Sequence, residues 1–134
     1  MSPTQPEPVL RTPEAPAAIG PYSQGRTGAL AGRWIATSGQ IGLDPATKSL
    51  VPGGIAPETE RVMRNLGAIL RAGGAGLGDV VKTTVYLVDM AEFAPMNEIY
   101  ARHFPDPKPA RTTIAVQALP LGARVEIDVW AFLP

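Results

Sequence analysis

The sequence predicts an α+β domain, a mixed β-sheet with two helices packed on one face, and three observations carry that prediction. Residues 57–72 and 95–104 place apolar side chains at helical spacing, whereas 80–88 and 125–132 have the β-branched content or strict alternation of strands. The two periods interleave as strand, strand, helix, strand, helix, strand, strand. The last strand is aliphatic on one face and carries two large aromatics on the other, and one layer of two helices cannot cover both.

Each element has a local cause. Residues 1–18 hold five prolines and few large apolar side chains, a composition that favours extended or disordered backbone. They read as a flexible Pro-rich tail, with 19–134 as a single domain. A turn at Ile19, Gly20, Pro21 and Tyr22 leads into a short first strand ended by Gly28, and Trp34 to Ser38 reads as the second. Asp44, Pro45 and the Gly53, Gly54 pair bracket a loop. The first helix opens with Pro57 in its first turn and with Glu58 and Glu60 near the positive end of its dipole, and it stops at Gly73 and Gly74. Its buried stripe is expected at Val62, Leu66, Ile69 and Leu70. Val80 to Val88 is the third strand, and the second helix should bury Met96, Ile99, Tyr100 and Phe104.

Alternation along the final strand sets Val125, Ile127, Val129 and Ala131 on one face and Glu126, Asp128, Trp130 and Phe132 on the other. The aliphatic set should meet the helices. Large aromatics left on the other face call for a partner subunit. The preceding strand splits into Thr112, Ile114, Val116 and Arg111, Thr113, Ala115; with the aliphatic set again turned to the helices, Arg111 shares Glu126's face. A polar site at a subunit interface is the expectation.

Composition removes several function classes. Twelve basic and twelve acidic side chains give a net charge of zero, so nucleic acid loses weight as a partner. The absence of cysteine removes disulfides, thiolate metal sites and thiol nucleophiles, and the single His103 argues against zinc and histidine triads. No apolar run approaches the roughly 18 residues of a membrane span, and the start lacks a signal pattern. A cytoplasmic location is expected.

A charge inside a strand is costly unless something pairs with it, which singles out Arg111 and Glu126. The planar fork of Arg111 suits a small carboxylate; an ion pair with Glu126 explains it as well. Glu126 suits a general acid or base or a water-orienting group, or a salt bridge. Tyr22 can present a hydroxyl to a ligand or anchor its turn, and Asn97 can bind a ligand or cap a loop. Gly39, between Ser38 and Gln40, lets bare backbone approach a ligand, or simply makes a tight turn. The glycines at 73, 74, 76 and 78 follow a helix instead of preceding one, so they form no phosphate loop. His103 reads as a helix-end side chain, and Met63 and Met96 as core.

Five segments in order, Ala15 to Gln24 (APAAIGPYSQ), Ser38 to Ile41 (SGQI), Val80 to Tyr86 (VVKTTVY), Pro109 to Thr112 (PART) and Val125 to Ile127 (VEI), resemble the Rid family of enamine/imine deaminases, also called YjgF/YER057c/UK114. The resemblance spans residues 15–132. It implies a chorismate-mutase-like fold in a homotrimer with ligand sites between subunits. By motif it makes Arg111 the substrate-carboxylate anchor and Glu126 the water-handling group, with Tyr22, Gly39, Asn97 and the Thr113 backbone N–H lining the pocket. Some members carry Cys at the Thr113 position. The implied reaction converts short 2-imino acids, such as the imine of 2-aminoacrylate, to 2-oxo acids and ammonia without metal or organic cofactor. A non-catalytic trimeric binder of 2-oxo acids, and a translation inhibitor or endoribonuclease, are the alternatives.

Overall fold

A computed structural model describes residues 8–29 and 31–134. The elements are β1 (Val9–Leu10), β2 (Gly25–Arg26), β3 (Arg33–Ala36), α1 (Ile55–Ala72), β4 (Val80–Leu87), α2 (Phe93–His103), β5 (Ala110–Ala115) and β6 (Val125–Leu133). β1 and β2 form a small antiparallel ladder, and the main sheet has the order β3-β6-β4-β5. β6 is antiparallel to both β3 and β4, while β4 and β5 are parallel.

This order explains the single helical layer. β3 and β4 are each antiparallel to β6 and so run in the same direction, which makes β3-α1-β4 and β4-α2-β5 two successive crossovers stepping the same way across the sheet. Crossovers share one hand, so both helices land on one face. The other face is left bare.

α1 begins two residues earlier than the helix expected at 57, and Pro57 still lies in the first turn, where a missing N–H is harmless. Gly74 ends it at φ +81°, and the Ala75 N–H closes onto the Leu70 carbonyl at 2.8 Å. The buried stripe is Val62, Met63, Leu66 and Leu70; Ile69 is 36% exposed, because the stripe is centred on Leu66 and Leu70 with Met63 to one side, leaving Ile69 at its margin. From α2, Met96 and Tyr100 are buried, as is Phe104 just beyond it. They meet Val125, Ile127, Val129 and Ala131 of β6 and Val85 and Leu87 of β4 in one cluster. The expected inner face of the last strand is the observed one.

Part of the stretch read as a tail makes backbone pairs: Val9 and Leu10 pair with Arg26 and Gly25, and the Thr27 N–H donates to the Pro8 carbonyl at 3.1 Å. Composition shows the scarcity of apolar side chains there but not the backbone hydrogen bonds; residues 1–7 lie outside the described ones. One expectation changes. Register sets Arg111 opposite Thr83 and Ile114 opposite Tyr86 on β4, while Tyr86 in turn faces Glu126 and Thr83 faces Val129. Arg111 therefore shares the helix face with Val129, and Glu126 shares the bare face with Ile114. The aliphatic side chain misled because the bare face is itself apolar: Ile114 is 41% exposed there, and on other strands of the same face Trp130 is 48% and Trp34 65% exposed. The two indoles lie 5.6 Å apart between centroids.

Candidate functional site

β5 is an edge strand, and Arg111 reaches from it beneath α2. Phe93, Asn97 and Tyr100 recur at i, i+4 and i+7 on that helix, so they form one stripe over the guanidinium. Nη1 donates to Asn97 Oδ1 at 2.6 Å. The ring centroids of Tyr100, Phe93 and Tyr22 lie 4.8, 5.3 and 5.5 Å from the guanidinium carbon, within cation–π range. Tyr100 is itself fixed, with its hydroxyl 2.8 Å from the buried Thr83 hydroxyl. Tyr22 is brought in by the turn before Ser23, whose N–H donates to the Pro109 carbonyl at 3.0 Å.

The ion pairs among the described residues join Arg64 and His103 to Glu60, Arg102 to Glu98 and Arg124 to Glu92. Arg111 has no carboxylate there. Burial pushes its guanidinium below the ordinary value, and the neighbouring Tyr100 and Tyr22 oppose that shift; an arginine stays charged regardless. The result is a desolvated cation held by one neutral carbonyl oxygen and three ring faces, a half-built anion site. Two residues along the same face, Thr113 Oγ1 is buried without a hydrogen-bond partner among the described residues.

The second group lies on the bare face. Gln40 and Ile127 exchange two backbone hydrogen bonds, N–H to O at 2.8 and 3.0 Å, which brings Gly39 against Glu126. A Cβ at Gly39 would collide with the Glu126 carboxylate, so glycine is what leaves the acid its place. Across the ladder stands Tyr86, whose hydroxyl donates to Asp128 Oδ2 at 3.0 Å. That bond is the main reason the Tyr86 phenol lies above its ordinary value, with burial and the charges of Asp128 and Glu126 adding to it.

Arg111, Asn97, Tyr22 and Thr113 thus gather on the helix face, and Gly39 with Glu126 on the other. The ion pair between Arg111 and Glu126 does not exist. Phe93, Tyr86 and the cage role of Tyr100 were not anticipated. The i, i+4, i+7 stripe was visible in the sequence; Tyr86 becomes visible only with the β4–β6 register. His103 Nε2 lies 2.8 Å from Glu60 Oε2 at the end of α2, far from a ligand role. Among the described residues no group of three or more metal-ligating side chains is assembled.

Comparison with known proteins agrees with this architecture. The model of the family described as endoribonuclease L-PSP matches residues 12–133. A mouse protein named 2-iminobutanoate/2-iminopropanoate deaminase is 50% identical over 123 residues, 92% of this chain and 89% of that one. The human protein of the same name is 48% identical over 92% of this chain and 88% of its own. Among solved structures, a Thermotoga maritima protein described as a putative endoribonuclease superposes with TM-score 0.74 at 46% identity, covering 96% of this chain and 98% of that one. E. coli TdcF with bound serine superposes with TM-score 0.71 at 33% identity, covering 96% and 100%. The chain belongs to the Rid family, whose sequence model carries the description endoribonuclease L-PSP.

Proposed function

We propose that the protein is an enamine/imine deaminase that hydrolyses short 2-imino acids to 2-oxo acids and ammonia, acting as a homotrimer whose sites lie between subunits. The observation that carries this reading is the caged, largely desolvated Arg111, a cation with no carboxylate partner among the described residues. The names of the mouse and human relatives support the reaction, and the serine bound to TdcF supports a ligand of this size carrying a carboxylate.

The chemistry needs little apparatus. The enamine moves a proton from nitrogen to its terminal carbon and becomes the imine. Arg111 grips the carboxylate with the N–H groups that Asn97 leaves free, Thr113 approaches it, and the reacting carbon is held in place. Glu126 takes a proton from water as the water attacks the imine carbon. The tetrahedral carbinolamine then receives a proton on nitrogen, and ammonia leaves as the carbonyl forms. Proton transfer of this kind is worth about 10² to 10⁴ in rate.

One chain cannot use both groups at one ligand, because they occupy opposite sheet faces. The exposed Trp34, Trp130 and Ile114 around Glu126's face supply the surface for a neighbour, and three copies in a closed ring satisfy every such surface. A cytoplasmic setting belongs to the same reading; among the described residues no helix is long and apolar enough to cross a membrane. Direct RNA cleavage is disfavoured by the zero net charge and by a single histidine engaged with Glu60.

The test generates the imine in situ with an amino-acid oxidase or a threonine dehydratase and follows 2-oxo acid release. Wild type should accelerate it, and Arg111→Ala should return it to the uncatalysed rate with the oligomer intact. Full activity in Arg111→Ala removes the anchor role; no acceleration by wild type leaves a binder of 2-oxo acids.

A further inference from the structure

The Ala15–Gln24 segment contributes more than Tyr22. Residues 11–20 are exposed throughout and span a cavity of about 840 Å³ whose far wall is Asp106, Pro107 and Lys108. A strap over a hollow gains little from apolar burial, so hydrogen bonds must hold it. Among the described residues, those that tie residues 12–16 to later parts of the chain all involve one carboxamide. Gln24 Oε1 accepts from the Thr12 N–H at 2.7 Å, and Nε2 donates toward the carbonyls of Pro16, Thr12 and Ala15 at 2.6, 3.1 and 3.2 Å. Further along the strap, the Ile19 N–H donates to Tyr22 Oη at 3.3 Å. Ser23 anchors the backbone after the tyrosine, but the ring is oriented at its hydroxyl.

We propose that Gln24 is a positioning residue for Arg111: its carboxamide staples the strap, the strap presents the Ile19 N–H, and that donor keeps the Tyr22 ring against the guanidinium. The proposal rests on the reading of Arg111 as carboxylate anchor. A loosened ring leaves the cation more hydrated and less well aimed, so ligand affinity falls while the proton-transfer steps do not change.

The experiment measures pyruvate affinity by calorimetry, deaminase kcat and KM, and amide exchange in wild type, Gln24→Ala, Tyr22→Phe, the double variant and Arg111→Ala. Gln24→Ala should speed exchange at Thr12 and Ile19 while α1 and β4 stay protected. Pyruvate binding should weaken about fivefold, the scale of a partly desolvated cation–π contact, with KM rising and kcat held. The double variant should bind no worse than Tyr22→Phe alone, since the staple acts through that hydroxyl. Should Gln24→Ala fail to fold, Gln24→Glu keeps the size and replaces the donor by an acceptor facing three carbonyls, with an equal or larger effect. Faster exchange with unchanged affinity overturns the proposal and leaves a structural staple, as do additive effects in the double variant. Unchanged pyruvate affinity in Arg111→Ala is a different failure, in which the anchor reading falls and takes this one with it.

Discussion

The two faces of the sheet treat a strand-borne charge in opposite ways. Arg111 is enclosed by its own chain, with a helical stripe above it, an aromatic turn beside it and a neutral oxygen at Nη1. Glu126 is half-buried on the face without helices, framed by Gly39 and Tyr86, and shares that face with Trp130 and Trp34, which lie exposed farther along the sheet. The cation has its surroundings from its own chain, whereas the acid stands on a face that its own chain leaves uncovered. The difference teaches that one fold sets the two charges on opposite faces, and the proposal of two half-sites, one from each of two subunits, rests on that separation.

The largest expected effect comes from breaking that division directly. Arg111→Ala and Glu126→Ala should each be near background alone. When the two variants are unfolded, mixed in equal amounts and refolded together, each interface draws one residue from either chain at random, so about one quarter of sites regain both native groups. Activity should return to that level. A mixture as inactive as its components would place both groups in one chain's site and overturn the two-half-site reading.

Sequence reading reached the fold further than it reached this division. The alternation in Val125 to Phe132 is strict, and a period of two leaves one choice of inner face. β5 offers no such choice, since Ile114 outside and Val116 beyond the strand look as apolar as a core set, and the face of Arg111 depends on pairing with β4. Register is a long-range property. The ties of the strap are out of reach of composition for a related reason: they come from the Gln24 carboxamide and a two-residue ladder, not from burial.

A smaller effect sharpens the contrast through two tyrosines, one per face. Burial pushes Tyr100 up to about 12, against the opposing influence of the Thr83 hydroxyl and the Arg111 charge. Tyr86 is raised chiefly by its bond to Asp128. A tyrosine whose folded value is raised is favoured neutral, so the stability it contributes is complete below the unfolded value near 10 and is lost as pH climbs toward 12. For Tyr100 that amounts to about 2–3 kcal/mol. Ultraviolet titration should show a late phenol that Tyr100→Phe removes and that added salt leaves in place, while the Tyr86 step moves with salt. Tyrosines ionising together near the ordinary value would show that water reaches the helix face.

The smallest effect isolates a single atom on the enclosed face. Thr113 Oγ1 is buried without a hydrogen-bond partner among the described residues, and such a hydroxyl destabilises the free protein by about 1 kcal/mol or more. Thr113→Val keeps the shape and β-branching that β5 favours, so the ligand-free variant should be more stable than wild type by roughly that amount. If the hydroxyl is kept for a ligand beside Arg111, the same change should weaken pyruvate binding severalfold, and the stability gain should shrink as pyruvate is added, because the ligand then stabilises wild type more than the variant. Denaturant melts with and without pyruvate separate the cases. A variant less stable than wild type in both conditions means that Oγ1 already has a partner in the assembled protein; a variant more stable by the same margin in both means that the ligand never meets it.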